Sequence, residues 1–347
     1  MSNCGRYHCQ MCFALVFLPL LLIGCSDDEP TGPGRDADTT SHAFVWYTDT
    51  LGGWLSTVND VFCLSENDAW AVGYFCVRDS TGEPIWNKIA NAAHWDGLKW
   101  TLIRVNPAFN GGQSFAELEA VFCLSANDVW SHERHWNGIA WNVYDLNAIS
   151  QGTTRKIWGD RPDHVVFAGD EGDLTVWNGN SFKQTGFQTT AANRDIWGWK
   201  DTMYVAVSDY DQQSGRLGYL MRFENGKFVR NKTPVFDVQI AVCGMDGTWY
   251  CGGCTDLYRK TGGKWLHVYS QPRCITGLRG TALNNVFILI QRGEIVHFNG
   301  QTFATILPVH PNGMFTSRIS AAGTMVMAGG ETNYYAIINR SYQQQTE

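Results

Sequence analysis

Three features of this sequence have residue types and spacing that could do chemistry: the pair Cys251-Gly252-Gly253-Cys254, a set of histidines beside aromatics, and the acidic turn Asp170-Glu171-Gly172-Asp173. A CxxC pair serves thiol redox work when its first cysteine opens a helix, whose dipole lowers the thiol pKa. Here it follows Trp249-Tyr250 in a stretch that reads as a strand, and no helix comes after it. A structural role fits better: a turn near Asp246-Gly247 brings Cys251 about opposite Cys243, a candidate disulfide if the Cβ atoms face each other. His94, His135 and His297 occupy the same place in separate segments, so they do not converge on one ion, and His132 and His135 point to opposite faces of an extended strand. No zinc site is expected. Asp170 and Asp173 could offer oxygens to calcium, but a full ligand loop is missing and solvated turn residues explain them as well. No Ser/His/Asp elbow, P-loop or dinucleotide glycine pattern occurs, and no cofactor is expected.

These residues sit in a chain of 347 residues with 36 glycines, 13% aromatic and 17% charged residues. The charged share is below the ~25% of an average globular chain, and aromatics with glycine suit strands joined by tight turns. The net charge of -7, without a Lys/Arg cluster, excludes a nucleic-acid partner.

The positioning elements repeat. Asn67 to Trp100, Asn127 to Trp141, Val165 to Phe182, Tyr219 to Phe228 and Asn285 to Phe303 each read strand, turn, strand, then an Asx-Gly turn, then an aromatic opening another strand. A unit of this size cannot bury its apolar surface alone and must stack on copies of itself. First-strand anchors at Phe62, Phe122, Trp158, Trp197, Cys243, Thr276 and Ser320 are about 43 residues apart on average, the length of a four-stranded propeller blade. The expectation is an all-β, seven-bladed β-propeller over residues 42–340, with a polar tail at 341–347. The last unit has three strands, and His42 to Tyr47 reads as a fourth strand without its first three, so the N-terminal strand should complete the last blade and hide its edge. Trp95 with Trp100, and Trp136 with Trp141, should share one face as packing between blades. Cys63 and Cys123, at equivalent places, read as small buried apolar residues.

Arg6 precedes an apolar run from Phe13 to Ile23, shorter than the ~20 residues of a membrane span and of signal-peptide length. It ends in Leu22-Ile23-Gly24-Cys25, which resembles the lipobox of bacterial lipoproteins. That resemblance implies removal of residues 1–24 and a lipid anchor on Cys25; an ordinary secretory signal is the other reading. Residues 25–41 are too polar to fold and read as a tether. Ser26 is not the Asp that retains many lipoproteins at the inner membrane. The acidic run Ser26 to Pro30 resembles the surface-export signal of lipoproteins in the Bacteroidetes group, or is a plain acidic linker. The expected location is the outer membrane of a bacterial envelope, with outward exposure left open.

The pattern DVWAVG, turn, HWNGxxW resembles a repeat of secreted bacterial propellers, and more distantly the photosystem II assembly-factor and Asp-box propellers. It covers about Phe44 to Arg340. Met245-Asp246-Gly247-Thr248-Trp249 departs from the Asp-box spacing, and no arginine triad is matched, so sialidase chemistry does not carry over.

In such a fold the connections from second to third strands and from one blade to the next share one face, where loops tolerate change. Phe75 to Asn91, Asn106 to Glu117 and Ser208 to Arg216 are the long insertions there. They nominate Trp86, Asn87, Lys88, Phe109, Asn110, Phe115, Tyr210 and Asp211 as ligand-binding residues. Exposed aromatics with amides and charges suit a glycan or a protein segment. The expected function is a monomeric, non-catalytic binding module at the envelope, touching membrane only through its anchor. The alternatives are a carbohydrate-active hydrolase or lyase with carboxylates over the central channel, and an assembly factor for an envelope complex.

Overall fold

β-Branched and aromatic runs punctuated by tight turns fold into seven four-stranded antiparallel sheets, six of them built from strands consecutive in the chain. The computed structural model describes residues 39–105, 108–109, 112–113, 115–144, 146, 149, 152–185, 191–211, 215–224, 227–231, 241–310 and 312–344, within the compact unit Asp38–Glu347. The signal segment, Cys25, most of the tether and Asn110 lie outside the described residues. Blade I comprises Thr57–Ser65, Asp68–Phe75, Ala90–Trp95 and Trp100–Ile103. First strands of blades II to VI are Phe122–Ser125, Thr154–Arg161, Ala192–Trp199, Ala241–Met245 and Ile275–Ala282. Blade VII comprises Phe315–Ala322, Met325–Thr332, Tyr335–Gln343 and, as its fourth strand, Phe44–Leu51. Each first strand touches those of both neighbouring blades, so the seven form the inner wall of a closed ring. The seven-bladed propeller expected from the repeat is the fold observed.

Strand register shows how one blade seats on the next. Phe62, Phe122, Trp158, Trp197, Cys243, Arg279 and Ser320 occupy the same first-strand position, opposite Trp70, Trp130, Val166, Tyr204, Tyr250, Phe287 and Met327. The anchor of blade VI is therefore Arg279 rather than Thr276; a charged side chain stands where other blades carry an apolar or small one. The residue after each anchor is small: Cys63, Cys123, Gly159, Gly198, Gly244, Gly280 or Ala321. The reason is contact with the preceding blade, since a Cβ on Gly198 would lie 2.1 Å from the Trp158 ring. Cys63 and Cys123 are buried fillers of this small position, as expected.

The same register corrects the cysteine pairing. Val242 lies opposite Cys251, and Cys243 opposite Tyr250. Neighbouring pairs project to opposite faces of a sheet, so Cys243 packs against blade VI while Cys251 packs toward blade IV with Tyr204 and Trp249. The expected turn was right, but the ladder is one residue out of step, and the two thiols are held apart.

Toward the rim, the recurrent histidine bonds within its own blade. His94 donates to Asp68 at 3.0 Å, His135 to Asp128 at 2.9 Å and His297 to Asn285 at 2.8 Å. Each ring also lies beside the second-strand aromatic opposite it, closest at Trp130 and His135, with centroids 3.9 Å apart. Each of these histidines thus has its own bonded place in its own blade. Trp95 faces Trp100 directly and Trp136 faces Trp141, with centroids 5.7 and 5.9 Å apart. The Asx-Gly turns use positive φ only at the glycine, +92° at Gly97 and +85° at Gly138, while Asp96 accepts from the amides of Leu98 and Lys99 and Asn137 from those of Ile139 and Ala140.

Ring closure runs through eight residue pairs, from Phe44 opposite Gln343 to Leu51 opposite Ala336. The expected polar tail thus begins three residues late, because Ser341 to Gln343 belong to the strand and Ser341 is buried. Asp49 accepts from Arg340 Nε at 2.6 Å and from Trp100 Nε1 at 3.2 Å, tying the closing strand to blades VII and I. Upstream, Thr40 bonds Asn299 and Asn284 in the turns of blade VI, so the chain enters the ring on the face of the Asx-Gly turns. His42 Nδ1 lies 2.9 Å from His297 Nδ1, and because His297 Nε2 donates to Asn285, its Nδ1 is the acceptor.

Burial, with a smaller push from His42, lowers the His297 pKa from 6.5 to about 3. The unfolded chain therefore takes up a proton below pH 6.5 that the folded chain refuses until near pH 3, so stability falls with acidification across that window. A His297→Gln variant should lack this component, and its stability deficit against the native protein should shrink from pH 7 to pH 4, measured by chemical denaturation. Deleting Ala43 to Thr48 should lower the melting temperature and cause aggregation, read by differential scanning fluorimetry and size-exclusion chromatography; an unchanged melting temperature would refute the closure.

Candidate interaction face

Second-to-third strand connections and blade-to-blade linkers emerge together, opposite the Asx-Gly turns, around the mouth of the central channel. Its wall comes from the position two before each anchor: Asp60, Ala120, Lys156, Asp195, Ala241, Gly277 and Arg318. Several of these positions coincide with bulges in the first strand, which re-aim the side chain. Asp60 pairs with Lys156, and Asp195 takes both guanidinium nitrogens of Arg279 at 2.9 Å each. Each carboxylate also accepts from the next blade, Val121 N at 3.2 Å and Val242 N at 3.1 Å. Burial works to lower the Arg279 pKa, but Asp195 overrides it and the net direction is upward. For Lys156 burial wins over Asp60, and its pKa is lowered. Ions taken from water this completely hold only while paired.

One step nearer the mouth stand Asn59, Glu119 and Arg155. Arg155 bridges Glu119 at 3.3 Å and Asp170 at 2.6 Å, while Glu117 accepts from Thr57 at 2.8 Å and Asn59 at 2.9 Å. The Glu119 pKa is raised, first by burial, against the pull of Arg155 and, from blade VII, Arg318. The two acids that could offer oxygens to calcium have side-chain partners here: Asp170 accepts from Arg155, and Asp173 accepts from Thr175 Oγ1 at 3.1 Å. Among the described residues, no group of three or more His, Cys, Asp or Glu is placed to hold a metal ion.

Outside the mouth, the face is aromatic where blades VII and I meet. Trp54 and Leu55 lie in the linker into blade I, and Tyr334 in the turn between second and third strands of blade VII. Trp54 and Tyr334 meet edge to face with centroids 5.9 Å apart, and the Arg78 guanidinium lies 5.3 Å from the Trp54 ring. Backbone bonds sew the three segments together: Ser56 N donates to Tyr334 O at 3.1 Å and Gly53 N to Cys76 O at 2.6 Å. Arg78 adds donations to Trp54 O at 3.2 and 3.1 Å. Trp54 and Tyr334 are nonetheless 46% and 61% exposed. Leu55 and Tyr334 have φ of 70° and 67°, a left-handed conformation that costs an L-residue free energy. The fold thus holds two apolar side chains at the surface in strained backbone.

Of the residues nominated from sequence, Trp86, Asn87 and Lys88 form a single exposed helical turn, with Trp86 71% exposed. Arg104 fixes that turn by donating to Trp86 O at 2.9 Å and Ile89 O at 3.3 Å. Phe115 is half-buried between Tyr74, 5.7 Å away, and the Arg104 guanidinium at 5.0 Å, so it supports the loop more than it displays a ring. Phe109 pairs with Gly112 in a two-residue ribbon, while Tyr210 and Asp211 extend the second strand of blade IV opposite Arg216 and Gly215. Sequence reasoning missed Trp54, Tyr334, Glu119 and Arg155. The first two lie between repeats; the last two were findable by counting three back from the anchors Phe122 and Trp158.

No protein-family model matches the chain, and no curated protein sequence matches it. Solved structures do. YCF48 bound to D1 peptide superposes with a TM-score of 0.60 at 14% identity, covering 86% of this chain and 95% of that one. Virginiamycin B lyase from Staphylococcus aureus, with quinupristin, gives 0.62 at 10% identity over 87% and 100%. The WD40 propeller domain of Doa1 gives 0.58 at 12% over 86% and 96%. Such identities establish the shared propeller and nothing finer.

The channel pairs make a direct prediction. Asp195→Ala leaves Arg279 buried without its carboxylate and should cost about 3–5 kcal/mol of unfolding free energy, while adding Arg279→Met should recover much of that loss in the same denaturant titration.

Proposed function

We propose that this protein is a non-catalytic binding module that takes an extended segment of a partner protein across the Trp54–Tyr334–Trp86 side of its open face. The observation that carries the reading is the exposed, bonded pair of rings Trp54 and Tyr334 with Leu55 beside them, Leu55 and Tyr334 standing in left-handed backbone. Exposed rings fixed in place bind at low entropic cost, and the charged mouth beside them supplies orientation through Glu119 and Arg155. YCF48, whose structure holds a D1 peptide, lends the reading support as a propeller of similar size. The lipobox-like Leu22 to Cys25 supports placing this activity at a bacterial outer membrane, on a lipid anchor at Cys25. A glycan is the second reading, favoured by Trp86 standing exposed beside Asn87 and Lys88. The hydrolase or lyase reading would have to draw on Asp60, Asp195, Asp170, Glu117 or Glu119, each of which is already bonded to neighbouring side chains.

Selection of phage-displayed peptides on the tether-free domain, run beside a glycan array, tests this. Peptides should enrich, and Trp54→Ala and Trp86→Ala should each weaken them at least about tenfold with the melting temperature unchanged. Enrichment on the array alone moves the reading to glycan, and peptide binding that survives both substitutions discards this face.

A further inference from the structure

Cys254 and Cys274 adjoin a backbone hydrogen bond that joins blade V to the linker into blade VI. Cys254 lies just past its second strand, which ends at Gly252, and Cys274 lies just before the first strand of blade VI, which begins at Ile275. The two strands run antiparallel along the blade boundary. Ile275 N donates to Gly253 O at 3.1 Å, and a Cβ on Gly252 would lie 2.6 Å from the Ile275 side chain, so the segments are in close contact there. Beyond the cysteines the segments are joined again, Gln271 N donating to Thr255 O at 2.9 Å. In an antiparallel arrangement a bond like that from Ile275 N to Gly253 O, from the residue after one partner to the residue before the other, flanks a directly opposed pair, here Cys254 and Cys274, while Pro272 and Arg273 bend away between the two bonds. Directly opposed residues in an antiparallel pair have Cα atoms about 4.5–5.5 Å apart, inside the ~4.4–6.8 Å that a disulfide spans.

We propose that Cys254 and Cys274 are a disulfide site that staples the second-to-third strand turn of blade V to the linker into blade VI. Both are partly solvent-exposed and both are thiols in this structure, whereas the other five described cysteines are buried. The competing partner for Cys254 in the CxxC pair, Cys251, is fully buried beside Tyr204 and Trp249 with its thiol pKa pushed well up by desolvation. Formation is a two-electron oxidation with glutathione disulfide as oxidant. One cysteine thiolate attacks the glutathione disulfide and releases a first glutathione; the second thiolate attacks the mixed disulfide and releases another, each leaving thiolate taking up a proton. The site lies on the open face and is independent of what that face binds.

The test uses the full chain equilibrated in glutathione disulfide, alkylated, and digested without reduction for mass spectrometry. The expected product is a single cross-linked peptide pair joining Cys254 to Cys274, absent after dithiothreitol. Cross-linking should raise the melting temperature by several degrees, because the bond closes a loop of about twenty residues. In Cys274→Ser, Cys254 should instead carry one glutathione, and the redox dependence of the melting temperature should vanish. Two alkylated thiols in the oxidising buffer, two glutathione adducts on the native chain, or a link from Cys254 to Cys251 would each overturn the assignment.

Discussion

The pairing of Phe44–Leu51 with Tyr335–Gln343 is the contact on which the rest depends. A blade has two apolar faces and is stable only between two neighbours, so seven blades in an open row would leave two faces and a strand edge in water. Closing the row with the opposite end of the chain removes all three defects at once. It also sets the folding problem: blade VII cannot complete until the chain is almost entirely made, and its strand pairing carries the largest loop-closure cost in the molecule. The side chains at the seam answer that cost. Arg340 bonds Asp49 and lies over both Tyr47 and Trp95, so one guanidinium binds the closing strand to blades VII and I.

Along the axis the ring meets a second constraint. Seven inner strands converge on a space too narrow for seven large side chains, and Ala120, Ala241 and Gly277 concede it to Asp60, Lys156, Asp195 and Arg318. The acids do two jobs, pairing with a base on a non-adjacent blade and accepting an amide from the adjacent one. Blade VI departs from the repeat here, giving up an apolar anchor for Arg279, which serves Asp195 from two blades away and lies 4.8 Å from the Trp197 ring. The loss of an apolar contact in blade VI is thus coupled to the acid in blade IV.

The repeat made the architecture legible before any coordinates. Asx-Gly turns, paired tryptophans and a stray N-terminal strand together left few other ways to bury these faces. What failed to read out was whatever broke the period. Thr276 looked like an anchor because Arg279 did not. Cys243 and Cys251 looked opposed because a ladder shifted by one residue is invisible in a sequence, although it exchanges the two faces. The ion pair of Asp170 was hidden because Arg155, fifteen positions earlier, gave no hint of folding onto it. The side of the ring on which the long loops emerge was legible from the strand order. Its centre was not: Trp54 and Tyr334 sit at opposite ends of the sequence, and only closure makes them neighbours.

Thr40 enters the ring beside the blade VI turns, while the first loop after the closing strand already belongs to the open face. Within the described residues the strand Phe44–Leu51 therefore crosses the ring from the side of the Asx-Gly turns to the open face, so Thr40 and Trp54, fourteen positions apart, stand at opposite ends of it.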